Sequence, residues 1–268
     1  MIFMKRFAYL IQSPDYVPSF VKDIKTNDSD VYILTFKKPI DYPNSIFCPA
    51  KNCTWTNGRN KLAEMVMDKG YLYNIFMDDD IILKIDPKMA DNKKNPWRMF
   101  EDFLLTHQPA LGTCRYKKKH FFDPSKKVDT TYQCDGMLNA IHRDMMKFHY
   151  PLCNNFDNKS WWWSQFFAIC KMAVFYKGYV LQCNSINMIN PRHFSYPQAY
   201  GFQFAKKIFL STLLHQKDKD MIVPNFLKNV VNNGEVKTYE EGVYIELAKR
   251  ASERVKKDSI IWKNIKFY

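Results

Sequence analysis

The stretch 71–83, Tyr71-Leu72-Tyr73-Asn74-Ile75-Phe76-Met77-Asp78-Asp79-Asp80-Ile81-Ile82-Leu83, constrains the rest of the chain most. An apolar and aromatic run of strand length passes without a spacer into three carboxylates, then turns apolar again. That composition suits a buried strand whose C-terminal end opens on a polar site. Three adjacent carboxylates repel one another, and a cation or exposure to water relieves the repulsion. Side chains alternate along an extended chain, so Asp78 and Asp80 are expected on one side and Asp79 on the other. The triplet is then either a D-x-D pair presented to one ligand or a solvated acidic turn, and the flanking sequence must decide.

The chain is long enough, at 268 residues, to bury a full core as one large domain or as a domain with an appendage. Only 8 glycines are present and no GxGxxG or P-loop pattern occurs, which argues against a glycine-rich phosphate loop. The net charge of +13 favours polyanionic partners: nucleic acid, an anionic membrane or phosphate-bearing small molecules. The lysines are spread out, and the main cluster is Arg115-Tyr116-Lys117-Lys118-Lys119. Seven cysteines form no CxxC pair and read as reduced thiols of an intracellular protein. Met1-Ile2-Phe3-Met4-Lys5-Arg6 is too soon interrupted by charge for a signal peptide. No apolar run reaches the roughly 18 residues of a membrane span. The expected location is the cytoplasm.

Strands are expected at 6–12 and 31–36, followed by a loop marked by Pro39, Pro43 and Pro49. A helix capped by Thr56 or Asn57 carries Leu62, Met65, Val66 and Lys69 on one face and stops at Gly70. The strand of 71–77 follows, so strand, helix and strand form a βαβ unit with a parallel pair. Asn95-Pro96 opens a second helix to about His107, and a strand is expected at 110–116. Residues 131–141 read as extended with a turn at Asp135-Gly136, 143–148 as helical, 161–176 as a helix and 179–183 as a strand. From Gly201 onward the pattern is helical, and the stripe Val243, Leu247, Ala251 and Val255 marks a docked surface helix. A basic membrane-surface helix, giving peripheral membrane contact, is the alternative for that stripe. The expected organisation is an α/β domain over 1–197 and a helical C-terminal extension over 198–268.

Thr56-Asn57-Gly58-Arg59-Asn60-Lys61-Leu62-Ala63, followed by Gly70 and the strand ending in Asp78-Asp79-Asp80, resembles nucleotide-sugar glycosyltransferases of the GT-A fold. The resemblance covers about residues 5–195 and is closest over 56–83. It implies a Rossmann-like central, mostly parallel sheet flanked by helices. It implies Mn²⁺ or Mg²⁺ on Asp80 and Asp78, with His193 as a further ligand. Donor contacts would come from Arg59, Asn60, Asp78 and Asp79, and the catalytic base would be Asp157. Asp135 and Gly136 sit where the family places a loop near donor and acceptor. A divalent cation bridging two phosphates stabilises the charge that grows on a diphosphate leaving group. The run Trp161-Trp162-Trp163 offers aromatic faces for a sugar acceptor, with Trp162 and Trp163 the candidates. Three adjacent helical residues cannot share one face, so at least one of the three is expected in the core.

The function expected from this reading is metal-dependent transfer of a sugar from a nucleotide diphosphate, most simply UDP, to a hydroxyl of a glycan or glycoconjugate. Asp157 as base implies inversion, and retention stays open. Two alternatives compete: a metal-dependent nuclease or other nucleic-acid enzyme, and a non-catalytic sugar-binding or scaffold protein of the same fold. One acidic cluster without a second, and no nucleic-acid-binding pattern, argue against a nucleic-acid partner.

Overall fold

The computed structural model describes residues 4–88, 95–116, 126–131, 134–152, 154, 157, 168 and 180–191. The extension expected over 198–268 lies outside these residues, as do His193, Trp162 and Trp163.

Four parallel strands form one half of a single sheet. β1 (Phe7–Ser13) is buried along its whole length. Its near-continuous apolar run is what a parallel strand covered on both faces requires. β2 (Ser29–Thr35) pairs with it on one side and β4 (Tyr73–Asp78) on the other, and β3 (Ser45–Phe47) adds to the outer edge of β2. The pleat of β1 divides the core. Ala8 and Leu10 face α2 (Trp55–Val66) together with Leu62, Ala63, Val66 and Phe76. Phe7, Tyr9 and Ile11 face α3 (Pro96–His107) together with Ile75, Met77, Trp97, Phe100 and Leu104. The sheet is thus the middle of three layers. On the α3 side, the Tyr9 hydroxyl donates to Glu101 Oε1 at 2.6 Å.

The other half runs in mixed directions. β8 (Leu138–His142) is antiparallel to β4, and β6 (Leu111–Tyr116) is antiparallel to β8. β9 (Val180–Ile189) is parallel to β6. Its first part also pairs antiparallel with β7 (Val128–Thr130), and its last part with β5 (Ile82–Ile85). The order is β3-β2-β1-β4-β8-β6-β9-β5, with β7 beside β9. Six of these nine strands run the same way, and β8, β5 and β7 run against them. Two short helices, α1 (Val21–Ile24) and α4 (Met146–His149), fill corners. Among the described residues no helix is long and apolar enough to cross a membrane, and the five described cysteines are free thiols.

Several expectations shift. The cap of α2 is Thr54, two residues earlier than expected; its side chain accepts from the backbone N–H of Asn57. The parallel neighbour of β4 is β1, because α2 carries the chain from the β3 edge across β2 and β1. β9 runs on to Ile189 where the sequence suggested an end at 183, since its second half is held by β5. Residues 143–145 form a 3-10 turn before α4 rather than α-helix.

Candidate active site

β1 connects to β2 on one side and has β4 on its other side, so the strand order reverses at β1. Crevices at the C-terminal ends of strands beside such a reversal are where open α/β sheets bind ligands. Here those ends carry Gln12 and Ser13 from β1 and Asp78 from β4, with Gln12 directly opposite Asp78 in the ladder.

The parity of β4 turns Asp78 toward α2, as it does Phe76. The carboxylate meets Arg59, whose Nη2 donates to Asp78 Oδ1 at 2.6 Å, and Trp55, whose Nε1 donates to the same oxygen at 3.4 Å. Arg59 is 1% exposed and Asp78 25%. The guanidinium lies 4.7 Å from the centre of the Trp55 ring and 6.0 Å from that of Phe76. Its Nη2 also reaches the carbonyl of Gly136 at 3.4 Å, while its Nε and Nη1 have no hydrogen-bond partner among the described residues. The buried hydroxyl of Tyr150, whose ring packs on Phe76 at 4.5 Å, likewise has none among the described residues. Burial pushes that phenol up, against the pull of Arg59, so it stays protonated. Gln12 Nε2 donates to the carbonyl of Thr54 at 3.4 Å in space that the absent side chain of Gly58 leaves open.

The ladder ends at Asp78, and Asp79 and Asp80 lie in the following turn. Strand alternation therefore does not set their directions, contrary to the expectation from sequence. Asp79 is instead oriented by the hydroxyl of Tyr16, which donates to its Oδ2. Asp80 is half-buried beside it.

Asp157 is held at the first turn of α2. It is 4% exposed and accepts from Thr56 Oγ1 at 2.8 Å and from the hydroxyl of Thr54. Trp55, between those two threonines, touches Asp78. One helical turn therefore contacts both the acidic corner, through Trp55, and the candidate base, through Thr54 and Thr56. Asn60 is engaged elsewhere: its amide donates to the carbonyl of Leu152 at 2.8 Å and accepts from the Leu152 N–H at 2.7 Å. Asp135 accepts from the N–H of Met137 at 3.1 Å, shaping the turn that brings Gly136 to Arg59.

Among the described residues no group of three or more His, Cys, Asp or Glu side chains could by itself hold a metal ion. The donors at the corner are carboxylate oxygens. Such hard donors suit Mg²⁺ or Mn²⁺, and Mg²⁺ commonly takes one or two carboxylates and completes its shell with substrate phosphates. The donor set fits an ion that shares its coordination with a diphosphate. The sequence pointed to Asp78, Arg59, Asp157 and Gly136, which the structure gathers. Reading it missed Tyr16, Trp55, Thr54, Thr56 and Gln12. Thr54 and Thr56 had a local signal, as hydroxyl residues at the start of an apolar helical pattern, and Thr56 was read there as a helix cap and not as a partner of Asp157.

No protein-family model and no curated protein matches the sequence. Among solved structures, Staphylococcus aureus TarS 1–349 in complex with UDP matches with a TM-score of 0.52 at 11% identity, over 92% of this chain and 82% of that one. A further structure of S. aureus TarS 1–349 gives a TM-score of 0.46 at 12% identity, with the same coverage of both chains. A Desulfovibrio desulfuricans protein assigned as a nucleotide-diphospho-sugar transferase gives 0.36 at 11% identity, over 95% of this chain and 98% of that one. At such identity the first likeness is one of architecture, and that architecture is the GT-A-type α/β fold.

Proposed function

We propose that this chain is a metal-dependent glycosyltransferase that moves a sugar from a nucleoside diphosphate, most simply UDP, to a hydroxyl of a glycan or glycoconjugate. The observation that carries the reading is the first turn of α2, which contacts both Asp78 at the sheet reversal, through Trp55, and Asp157, through Thr54 and Thr56. The binding of UDP by TarS, which has the same fold, supports UDP as the first donor to try.

Asp78 and Asp80 would hold Mn²⁺ or Mg²⁺, with His193 as a proposed third ligand. When bound, the ion supplies neutralising charge to the departing diphosphate. Arg59 and Trp55 fix the rotamer of Asp78, so the carboxylate is oriented before any ligand arrives. The Nε and Nη1 groups of Arg59, without a partner among the described residues, add positive potential next to Asp78. Thr54 and Thr56 aim Asp157, whose carboxylate takes the proton of the acceptor hydroxyl as that oxygen attacks the anomeric carbon, with inversion. Asp135 and Gly136 would border the acceptor, with Trp162 and Trp163 as its aromatic wall. Asp79 and Asn60 act on the donor through the elements they hold.

Titration calorimetry with UDP, with and without Mn²⁺, tests the reading. Binding only with Mn²⁺, lost in Asp80→Ala, is expected; equal binding with and without the metal overturns the metal assignment. A screen of nucleotide sugars for Mn²⁺-dependent hydrolysis then identifies the donor. Asp157→Asn should keep UDP binding and lose turnover by about 10²–10⁴-fold. Full activity in that variant removes the base assignment.

A further inference from the structure

We propose that Tyr16 is a positioning residue that decides which carboxylates of the acidic corner face the ligand; this rests on the reading of that corner as a metal–diphosphate site. Tyr16 lies in the loop after β1, 63 positions before its partner, and donates its phenolic proton to Asp79 Oδ2. The loop is braced before it reaches the corner. Ser13 Oγ donates to the carbonyl of Tyr16 at 2.8 Å, and the carbonyl of Pro14 accepts from the N–H groups of Phe36 at 3.1 Å and Lys37 at 2.7 Å. The phenol is therefore delivered from a fixed base at the end of β2.

The three like charges of the corner are handled differently. Asp78 faces the buried guanidinium of Arg59 and is compensated by charge. Asp79 faces a neutral phenol, which adds no charge but fixes direction through a charge-assisted hydrogen bond. Because Asp79 sits in a turn, the ladder does not orient it. Tyr16 supplies the orientation that the strand does not, and so leaves Asp78 and Asp80 as the presented pair. A released Asp79 could join them as a third carboxylate. An ion that shares its shell with phosphates loses positions to such a ligand. Releasing Asp79 therefore strengthens the corner for the bare cation and weakens it for the cation–diphosphate complex.

The test uses the full chain with Tyr16→Phe, Asp79→Asn and the double variant. Mn²⁺ alone is titrated by the loss of its free-ion electron paramagnetic resonance signal, and UDP is titrated at saturating Mn²⁺ by calorimetry. Tyr16→Phe is expected to bind Mn²⁺ more tightly and UDP about tenfold more weakly, the scale of one charge-assisted hydrogen bond. Asp79→Asn alone should resemble the parent, because its amide oxygen still accepts from the phenol. The double variant should return both affinities toward the parent values, a rescue that a merely structural role for Tyr16 would not produce. Unchanged affinities in Tyr16→Phe, or no rescue in the double variant, overturn the role of Tyr16 alone. A parent protein that binds neither Mn²⁺ nor Mn²⁺–UDP overturns the site reading and this inference with it.

Discussion

Arg59 carries a charge that water does not reach, and its partner Asp78 is a quarter exposed. That asymmetry makes the two halves of the pair unequal. Asp78→Ala strands a buried guanidinium and should cost about 3–5 kcal/mol. Arg59→Met leaves a carboxylate that water can partly solvate, and should cost about 1–2 kcal/mol. Urea denaturation of both variants checks the order; a larger loss in Arg59→Met would contradict the burial argument. Gly58 is a second point where one atom matters. A Cβ there would lie 2.4–2.5 Å from three atoms of the Gln12 carboxamide. Gly58→Ala should displace Gln12 from the carbonyl of Thr54 and lose about 1–3 kcal/mol, read by the same denaturation experiment. Asp78 and Arg59 were legible in the sequence because their order along the chain resembles a known pattern. Tyr16 and Trp55 were not, since each meets the acidic corner across a long separation that leaves no local trace.

Helix α2 links sequence to site at the scale of elements. Its apolar face repeats at helical spacing, so its existence was readable, but its start was misplaced by two residues. The cap depends on Thr54, whose hydroxyl accepts from the N–H of Asn57 and donates to Asp157. Thr54→Ala should cost about 0.5–2 kcal/mol and Thr54→Ser much less. If Asp157 is the base, the alanine variant should also lower turnover while leaving Mn²⁺–UDP binding intact. Melting curves and assays of the two variants separate these effects. Strands β1, β2, β4 and β6 were legible from apolar runs of strand length. β3, β5 and β7 were not: each has three or four residues, too few for periodicity, and exists because a neighbour offers its edge.

For the whole molecule, stability should depend on pH through His142. Burial pushes this imidazole down to about 4 from 6.5, against the pull of Asp144, while its ring packs edge-on against Tyr73 at 5.2 Å. The folded state therefore holds it neutral where the unfolded chain is already protonated. The resulting stability is complete above about pH 6.5 and is lost as the pH falls through about 4, on the order of 3 kcal/mol in all. His142→Gln should flatten that part of a plot of melting temperature against pH. The sheet order was not legible, because a local pattern names strands without saying which will be neighbours. The reversal at β1, which places the crevice, is a property of that order alone.

The pairing of β5 bears on how the chain is made. β5 leaves the acidic corner at once, yet among the described strands it pairs only with the far end of β9, Ile82 opposite Ile189. On the ribosome, β1, β2, β4, β8, α2 and α3 emerge long before that partner does. A nascent chain halted near residue 160 should already shield the amides of β1 and β4 from hydrogen exchange while those of 82–85 exchange freely, and release of the full chain should close the latter. β5, which follows the acidic corner directly, would then set only once the far end of β9 has been made.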